Sequence, residues 1–388
     1  MDLHFTSTIE FQMSLLLFVA LAGYLLAMRI NQSAIIGEIL VGLLIGPSFL
    51  GLITYTDFVQ SVAQLGAIIL LFVVGLEFKL KDIFNFKYGL IALVGVIVPW
   101  IGGFLTAQAF GYNLGNAIFT GTALTATSIA ITANVLREMG KLQTEAAKAI
   151  IGAAVIDDIL GLLALSLSKE IVHGTFSLGA IILPIVNATL FLAVGIYVGS
   201  KLLSRLVERI DRTSVSQKYP EFIFIFVMMI AFLYAMVAEL FDLSAIVGAF
   251  IAGISLESAV VRHGKDHKKG AEYLYIIFAS IFFVSLGILV DIHMITPTAL
   301  WFIFVLVVVA ILTKVAGCFL PAYWQGLSIK DAAIVGFGMS PRGEVAMIIG
   351  LIGLNQNIIT QEIYAAIIFL SLVTTIVTPI VLRNWLYK

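Results

Sequence analysis

Asp157 and Asp158 are neighbours in a stretch that otherwise carries no charge. Between Lys148 and Lys169, residues 149–168 read AIIGAAVIDDILGLLALSLS. Twenty helical residues rise about 30 Å, the thickness of a bilayer's hydrocarbon core. A carboxylate at mid-depth costs roughly 2.5–3.5 kcal/mol on insertion scales, so a pair is retained for what it binds. The guests that two carboxylates attract are cations and protons. Successive helical residues project about 100° apart, so the two cannot face one small cavity together. They suit two tasks: one carboxylate turned to a partner, the other to an aqueous site. Burial and the adjacent like charge both oppose double ionisation, which makes at least one of them a proton acceptor.

A buried cation is available as that partner. Lys314 lies in VVVAILTKVAGCF (307–319) and needs a counter-charge unless it snorkels to the membrane face. Asp157 is the natural candidate, and such an ion pair can work as a proton switch. Two further segments carry helix breakers at depth. Residues 121–132 (GTALTATSIAIT) are dense in Thr and Ser, with Thr127 and Ser128 at the centre. In 336–347 (GFGMSPRGEVAM), Pro341 and Gly343 interrupt the helix around Arg342 and Glu344. Unwound backbone at this depth persists only inside protein or beside a water-filled cavity. Arg342 and Glu344 are expected to neutralise each other and the half-helix ends rather than to ligate the ion. Glu38 is deeper than Glu77, which reads as a solvated helix-end acid. The histidines (His4, His173, His263, His267, His293) fall in loops or at helix ends, where a bystander role is the commoner one.

These residues must be positioned by membrane-spanning helices. The composition is 61% hydrophobic, against about 45–50% in soluble proteins, and mean hydropathy is +1.10. The chain is an all-α polytopic membrane protein. A net charge of −1 implies no attraction to nucleic acid. The single cysteine, Cys318, excludes an intramolecular disulfide, and MDLHFTSTIEF lacks the basic start of a cleavable signal peptide.

Hydrophobic segments fall at about 11–30, 33–53, 59–78, 88–110, 113–136, 145–168, 176–203, 220–240, 243–259, 272–291, 299–323, 331–354 and 360–384, which predicts thirteen spans. All but three of the 22 basic residues (Lys169, Lys314 and Arg342) follow odd-numbered spans or close the chain. The positive-inside rule then puts the N-terminus outside and the C-terminus in the cytoplasm of a cell membrane.

SAIIGEILVG (33–42) returns as SAIVGAFIAG (244–253), and LFVVG near residue 71 echoes FFVSL near 282 at the same offset. Seven spans separate the copies, so they must be inverted. Inverted repeats with broken helices place a site near the midplane, as in secondary transporters. The expected organisation is a single transporter domain over 1–388, with repeats at about 11–168 and 220–388. A linker helix over 176–219 joins them, its end (200–219) an interfacial helix or a plain basic anchor. No dinucleotide fingerprint follows the last span, so no cytoplasmic nucleotide-binding domain is expected.

IGEILVGLLIGPSFLG (36–51), VIDDILGLL (155–163), TKVAG (313–317) and SPRGEVAMI (340–348) together resemble the NapA-type sodium/proton antiporters. Those belong to the monovalent cation:proton antiporter-2 superfamily, alongside Kef-type potassium efflux systems. The resemblance implies a thirteen-helix homodimer with two broken crossover helices, whose core moves by an elevator-like shift. It makes Asp158 the carboxylate for the monovalent cation and the proton, pairs Asp157 with Lys314, and sets Thr127 and Ser128 in the crossover beside the ion. Many relatives carry an Asp where Ser128 stands. Kef-type relatives generally lack the paired Asp, which makes K⁺/H⁺ exchange or K⁺ efflux the alternative.

The resulting expectation is electrogenic Na⁺/H⁺ exchange, with Li⁺ or K⁺ as possible substrates, no cofactor and no catalysis. A channel would need a continuous pore with a carbonyl filter such as TVGYG, absent here. An intramembrane aspartyl protease needs aspartates facing each other from different helices, and GFGM lacks the Asp of a GxGD motif. An organic-anion symporter on a related scaffold is the remaining rival.

Overall fold

The structure, a computed structural model, describes residues 8–83, 85, 87–174, 177–219, 221–259, 267–294 and 297–388. Among them every regular element is helical. In chain order these are α1 (Ile9–Arg29), α2 (Ala34–Ile45), α3 (Asp57–Gly75), α4 (Leu80–Ile83), α5 (Lys87–Ala109) and α6 (Leu114–Thr125). Then come α7 (Ile129–Glu138), α8 (Glu145–His173), α9 (Leu178–Tyr197), α10 (Ser204–Asp211), α11 (Ser214–Lys218) and α12 (Glu221–Leu240). The last are α13 (Ala245–Leu256), α14 (His267–Ile288), α15 (Pro297–Trp324), α16 (Ile329–Gly338), α17 (Glu344–Asn355) and α18 (Gln361–Val381).

Ten helical stretches are long and apolar enough to cross a bilayer, counting Leu114–Glu138 and Ile182–Asp211 as one each. Ala34–Ile45, Ala245–Leu256 and Glu344–Asn355 are apolar too, but twelve residues of helix reach only about 18 Å. The span expected at 331–354 is thus two half-helices, α16 and α17, either side of Ser340–Gly343. A six-residue π-helical segment (Val198–Leu203) joins α9 to α10, and α10 buries Ser204, Val207 and Asp211.

The matched ten-residue segments fold alike. Ser33 and Ser244 are extended N-cap residues (φ −62°, ψ 141° and φ −63°, ψ 135°), and each opens a helix of twelve residues. The likeness has a local cause, since Ser favours the non-helical N-cap geometry and an unbroken apolar run follows it.

Two compact units are present. One comprises Met1–Gln60, Asn85–Ile181 and Phe283–Lys388, the other Ser61–Phe84 and Ile182–Phe282. In the smaller unit, a Cβ on Gly253 would lie 2.3 Å from the Phe72 carbonyl oxygen, and one on Gly248 would lie 2.3 Å from that of Tyr234, so α3 and α12 both touch α13 backbone to backbone. The larger unit holds the two broken helices and α8. Its core packs Phe119, Leu124, Phe302, Leu306, Ile349 and Leu370 around α6, α15, α17 and α18. His4 and His263 lie outside the described residues. His293 is exposed and pairs with Asp291 at 3.0 Å, away from the buried acids.

Candidate ion-binding site

The two helix breaks cross each other inside the larger unit. The first falls where Thr and Ser hydroxyls compete with the backbone ladder. Thr120 and Thr122 donate to the carbonyls of Asn116 (2.7 Å) and Ile118 (2.8 Å), and Thr125 to that of Thr122 (2.7 Å). Ala126 and Ser128 are extended. The second follows from Pro341, which has no N–H and disfavours helical geometry at Ser340. The freed groups satisfy one another. Ser128 N–H donates to the Pro341 carbonyl at 2.8 Å, Thr127 Oγ1 to Met339 at 3.2 Å and Thr132 Oγ1 to Gly338 at 2.5 Å. A Cβ on Gly343 would sit 2.7 Å from Ser128 Oγ, so this crossing admits only glycine there.

Two buried cations close the helix ends. Arg342 is 0% exposed and donates to the carbonyls of Leu124 (2.9 Å), Ala310 (3.1 Å) and Ser340. Its backbone is held by Thr374 Oγ1 (3.1 Å) and Thr375 Oγ1 (2.9 Å). Lys314, also 0% exposed, donates to the Thr125 carbonyl at 2.7 Å and to Asp157 Oδ1 at 2.9 Å. Both therefore meet the C-terminal end of α6, where the helix dipole concentrates negative charge. Lys314 is turned inward to Asp157, not to the membrane face. The expected mutual neutralisation of Arg342 and Glu344 is not what the side chains do: the assigned guanidinium bonds all go to carbonyls. The reason is local, since the carbonyls of Leu124 at the end of α6 and of Ser340 in the second break lie within its reach and would otherwise be orphaned in a dry interior.

Removing that head group leaves the Leu124 and Ser340 carbonyls without their side-chain donor. At about 1–3 kcal/mol for each buried polar group left unsatisfied, Arg342→Ala is expected to yield little folded protein. Fluorescence size-exclusion chromatography in detergent checks this, and a wild-type monodisperse peak would refute it.

What remains is a set of oxygen atoms without partners. Asp157 Oδ2, Ser128 Oγ, Ser340 Oγ and Glu344 Oε2 are buried and accept no hydrogen bond. Asp158, one residue along α8, is only half-buried and makes no hydrogen bond or ion pair among the described residues. The charges that bear on it are Asp157, Glu344 and Lys314, and Thr127 lies beside the Asp157 carboxyl. Glu344 is the first residue of α17, at the positive end of that helix. Oxygen donors of this kind, several of them anionic, suit a hard, weakly polarising cation or a proton.

Glu38 is buried on α2 and Glu77 is exposed. Several supporting residues escaped the sequence reading. Thr374 and Thr375 form a polar pair inside the apolar run of α18, a signal that would have pointed to them, and their hydroxyls hold the second break. Tyr55, between α2 and α3, has no sequence signal. Burial, then Glu344 and then Tyr364 push its phenol up to about 12, which places Glu344 within electrostatic reach of that turn.

Two broken helices crossing beside a pair of carboxylates, one buried and one half-buried, define a secondary ion transporter of the membrane-embedded kind. Residues 15–388 match the family described as sodium/hydrogen exchanger, transmembrane, and the chain belongs to that family. It is 34% identical over 375 residues to the Na(+)/H(+)-K(+) antiporter GerN of Bacillus cereus, covering 96% of this chain and 95% of that protein. An Na(+)/H(+) antiporter of Enterococcus hirae is 35% identical over 381 residues, covering 96% of this chain and 97% of the relative. Among solved structures, the sodium proton antiporter MjNhaP1 of Methanocaldococcus jannaschii superimposes with a TM-score of 0.68 at 20% identity, over 99% of this chain and 97% of that one. That likeness establishes the fold. The family is one of transporters, not enzymes.

Proposed function

We propose that the protein exchanges sodium for protons across a cell membrane, with Asp158 as the carboxylate that takes either ion. The observation that carries this reading is the unpartnered Asp158 beside the Asp157–Lys314 pair, in a crossover that leaves further oxygens unsatisfied. The relatives' names and the NapA-like motifs point the same way, and the GerN name adds potassium as a second candidate substrate.

Charge bookkeeping supports an unequal exchange. The cluster holds two buried cations, Lys314 and Arg342, one buried acid, Asp157, and two half-buried acids, Asp158 and Glu344. Fully ionised it is one unit negative, and a single Na⁺ brings it to zero. Two protons, one on Asp158 and one on Asp157, leave it one unit positive instead. Low-dielectric surroundings penalise an ionised Asp158 that holds neither a cation nor a proton, so the core crosses with that carboxylate neutralised by one cargo or the other, which is obligate exchange. The two loaded forms differ by one charge, so exchange of two protons for one cation is electrogenic. The core shifts past a fixed barrier in an elevator-like movement, in a homodimer whose N-terminus is outside and C-terminus cytoplasmic.

Proteoliposomes test this by following internal pH after external NaCl, LiCl or KCl is added. Cation-dependent proton movement is expected, and its ranking by salt identifies the substrate. An imposed potential of ~100 mV is worth about 2.3 kcal/mol per charge, equivalent to about a 50-fold ion gradient. It should therefore accelerate or reverse the exchange. Salt-dependent proton movement that ignores the potential would rule out the two-for-one reading, and no coupled movement from folded protein would rule out antiport.

A further inference from the structure

Glycines in the larger unit show which of its helices are locked together. A Cβ on Gly37 would lie 1.9 Å from the Gly23 carbonyl oxygen, one on Gly42 would lie 2.2 Å from that of Val284, and one on Gly287 would lie 2.1 Å from that of Ile39. α1, α2 and the C-terminal end of α14 thus touch backbone to backbone. A second group is built in a similar way: a Cβ on Gly121 would lie 2.6 Å from the Trp100 oxygen, one on Gly336 2.8 Å from the Val315 oxygen, and one on Gly338 2.4 Å from the Ile150 side-chain methyl Cδ1. These join α5 to α6, α15 to α16, and α16 to α8. Among the described residues of this unit, no such glycine approach brings a helix of the first group against one of the second. Interdigitated backbones resist sliding, because any shift drives atoms into hard contact. Between the two groups that obstacle is missing.

Across this seam, three consecutive residues of the α1–α2 turn are held by the last residue of α7 and by the segment that follows α18. Asn31, at φ 53°, accepts through Oδ1 from Arg383 Nη2 at 3.0 Å. Gln32 Oε1 accepts from Asn384 Nδ2 at 3.3 Å, and Ser33 Oγ donates to Glu138 Oε2 at 2.6 Å. Glu138 also accepts from the Ala34 N–H and from Asn134 Nδ2 (3.2 Å), so its carboxylate sits on the positive N-terminus of α2. Arg383 and Asn384 belong to the turn Leu382–Leu386. That turn is fixed to the bundle by Tyr387, whose hydroxyl lies 3.3 Å from Thr144 Oγ1 and whose ring carries Lys141 Nζ 5.8 Å from its centroid.

We infer that Asn31–Ser33, Glu138 and Arg383–Asn384 form a polar latch. It holds the α1–α2 hairpin to the site-bearing bundle in one end state of the transport cycle, and it must open before the bundle can shift. The inference rests on the reading that exchange requires such a displacement. The chemistry suits a reversible contact: side-chain hydrogen bonds at a hydrated membrane face trade partners with water at small net cost, whereas glycine-mediated packing does not.

The test uses the full chain in proteoliposomes, with the buried Cys318 replaced by alanine. Gln32→Cys and Asn384→Cys are introduced together and bridged with a short bis-methanethiosulfonate reagent, which reduction removes. Unbridged protein should exchange Na⁺ for protons at the wild-type rate. Bridging should lower the rate at least tenfold, and reduction should restore it, while either single variant is indifferent to the reagent. Bridged protein that exchanges at full rate overturns the latch. Absent exchange in the wild type would instead overturn the antiport reading, so the two failures are distinguishable. A second measurement needs no cross-link. In the Gln32→Cys background, Glu138→Ala should speed labelling by a water-soluble maleimide at least about tenfold, the weight of one charge-assisted hydrogen bond. An unchanged labelling rate overturns the latch.

Discussion

Asp158→Asn is expected to reduce Na⁺-driven proton movement to that of protein-free liposomes while leaving the protein folded. The two halves of this expectation have separate causes. An amide cannot take up the proton that the cycle must carry, and it offers a sodium ion a neutral oxygen in place of an anionic one. The substitution also removes a charge that has no hydrogen bond or ion pair among the described residues, so no partner is orphaned by it. Neutralising an unpaired, partly buried carboxylate costs the fold nothing and relieves its desolvation. Melting temperature in detergent should therefore be equal to or above that of the wild type. Retained exchange by Asp158→Asn would transfer the carrier role to another acid. Glu344 would be the first to examine, because its Oε2 is likewise buried without a partner.

The same contrast explains what the amino-acid pattern revealed. Asp157, Asp158 and Lys314 were legible because charge inside a 20-residue apolar run has an insertion cost that only function or pairing offsets. Pro341 and Gly343 marked the second break by their backbone chemistry, and the Thr/Ser cluster marked the first. The role of Arg342 was not legible. Sequence proximity made Glu344 its apparent partner, but the carbonyls it caps belong to Leu124 and Ala310, more than thirty positions away in the chain, and only the crossing brings them together. Thirteen apolar segments could be counted, yet hydropathy cannot tell a full crossing from a twelve-residue helix, because both present the same side chains to lipid. The contacts of Glu138 and of the turn at Asn31–Ser33 were not legible for a similar reason: the partners lie 105 and 352 positions apart in the chain.

The Asp157–Lys314 pair carries the second large effect, and it separates stability from coupling. Lys314→Met leaves Asp157 buried at 1% exposure with no counter-charge and takes the donor from the Thr125 carbonyl. Breaking a buried pair from one side costs about 3–5 kcal/mol, so the single variant should melt far below the wild type or fail to accumulate. Asp157→Asn added to Lys314→Gln removes both charges together and should recover most of the loss, since a neutral pair of similar shape has no ion to desolvate. The double variant then reports on mechanism. Its cluster retains Arg342, Asp158 and Glu344, one unit negative in total, which one Na⁺ or one proton brings to zero. Both loaded forms are now uncharged, so exchange should continue one for one and lose its response to an imposed potential. A double variant whose exchange still follows the potential would show that the second proton is carried elsewhere. A Lys314→Met protein that melts like the wild type would show that the ion pair is not what holds α8 against α15.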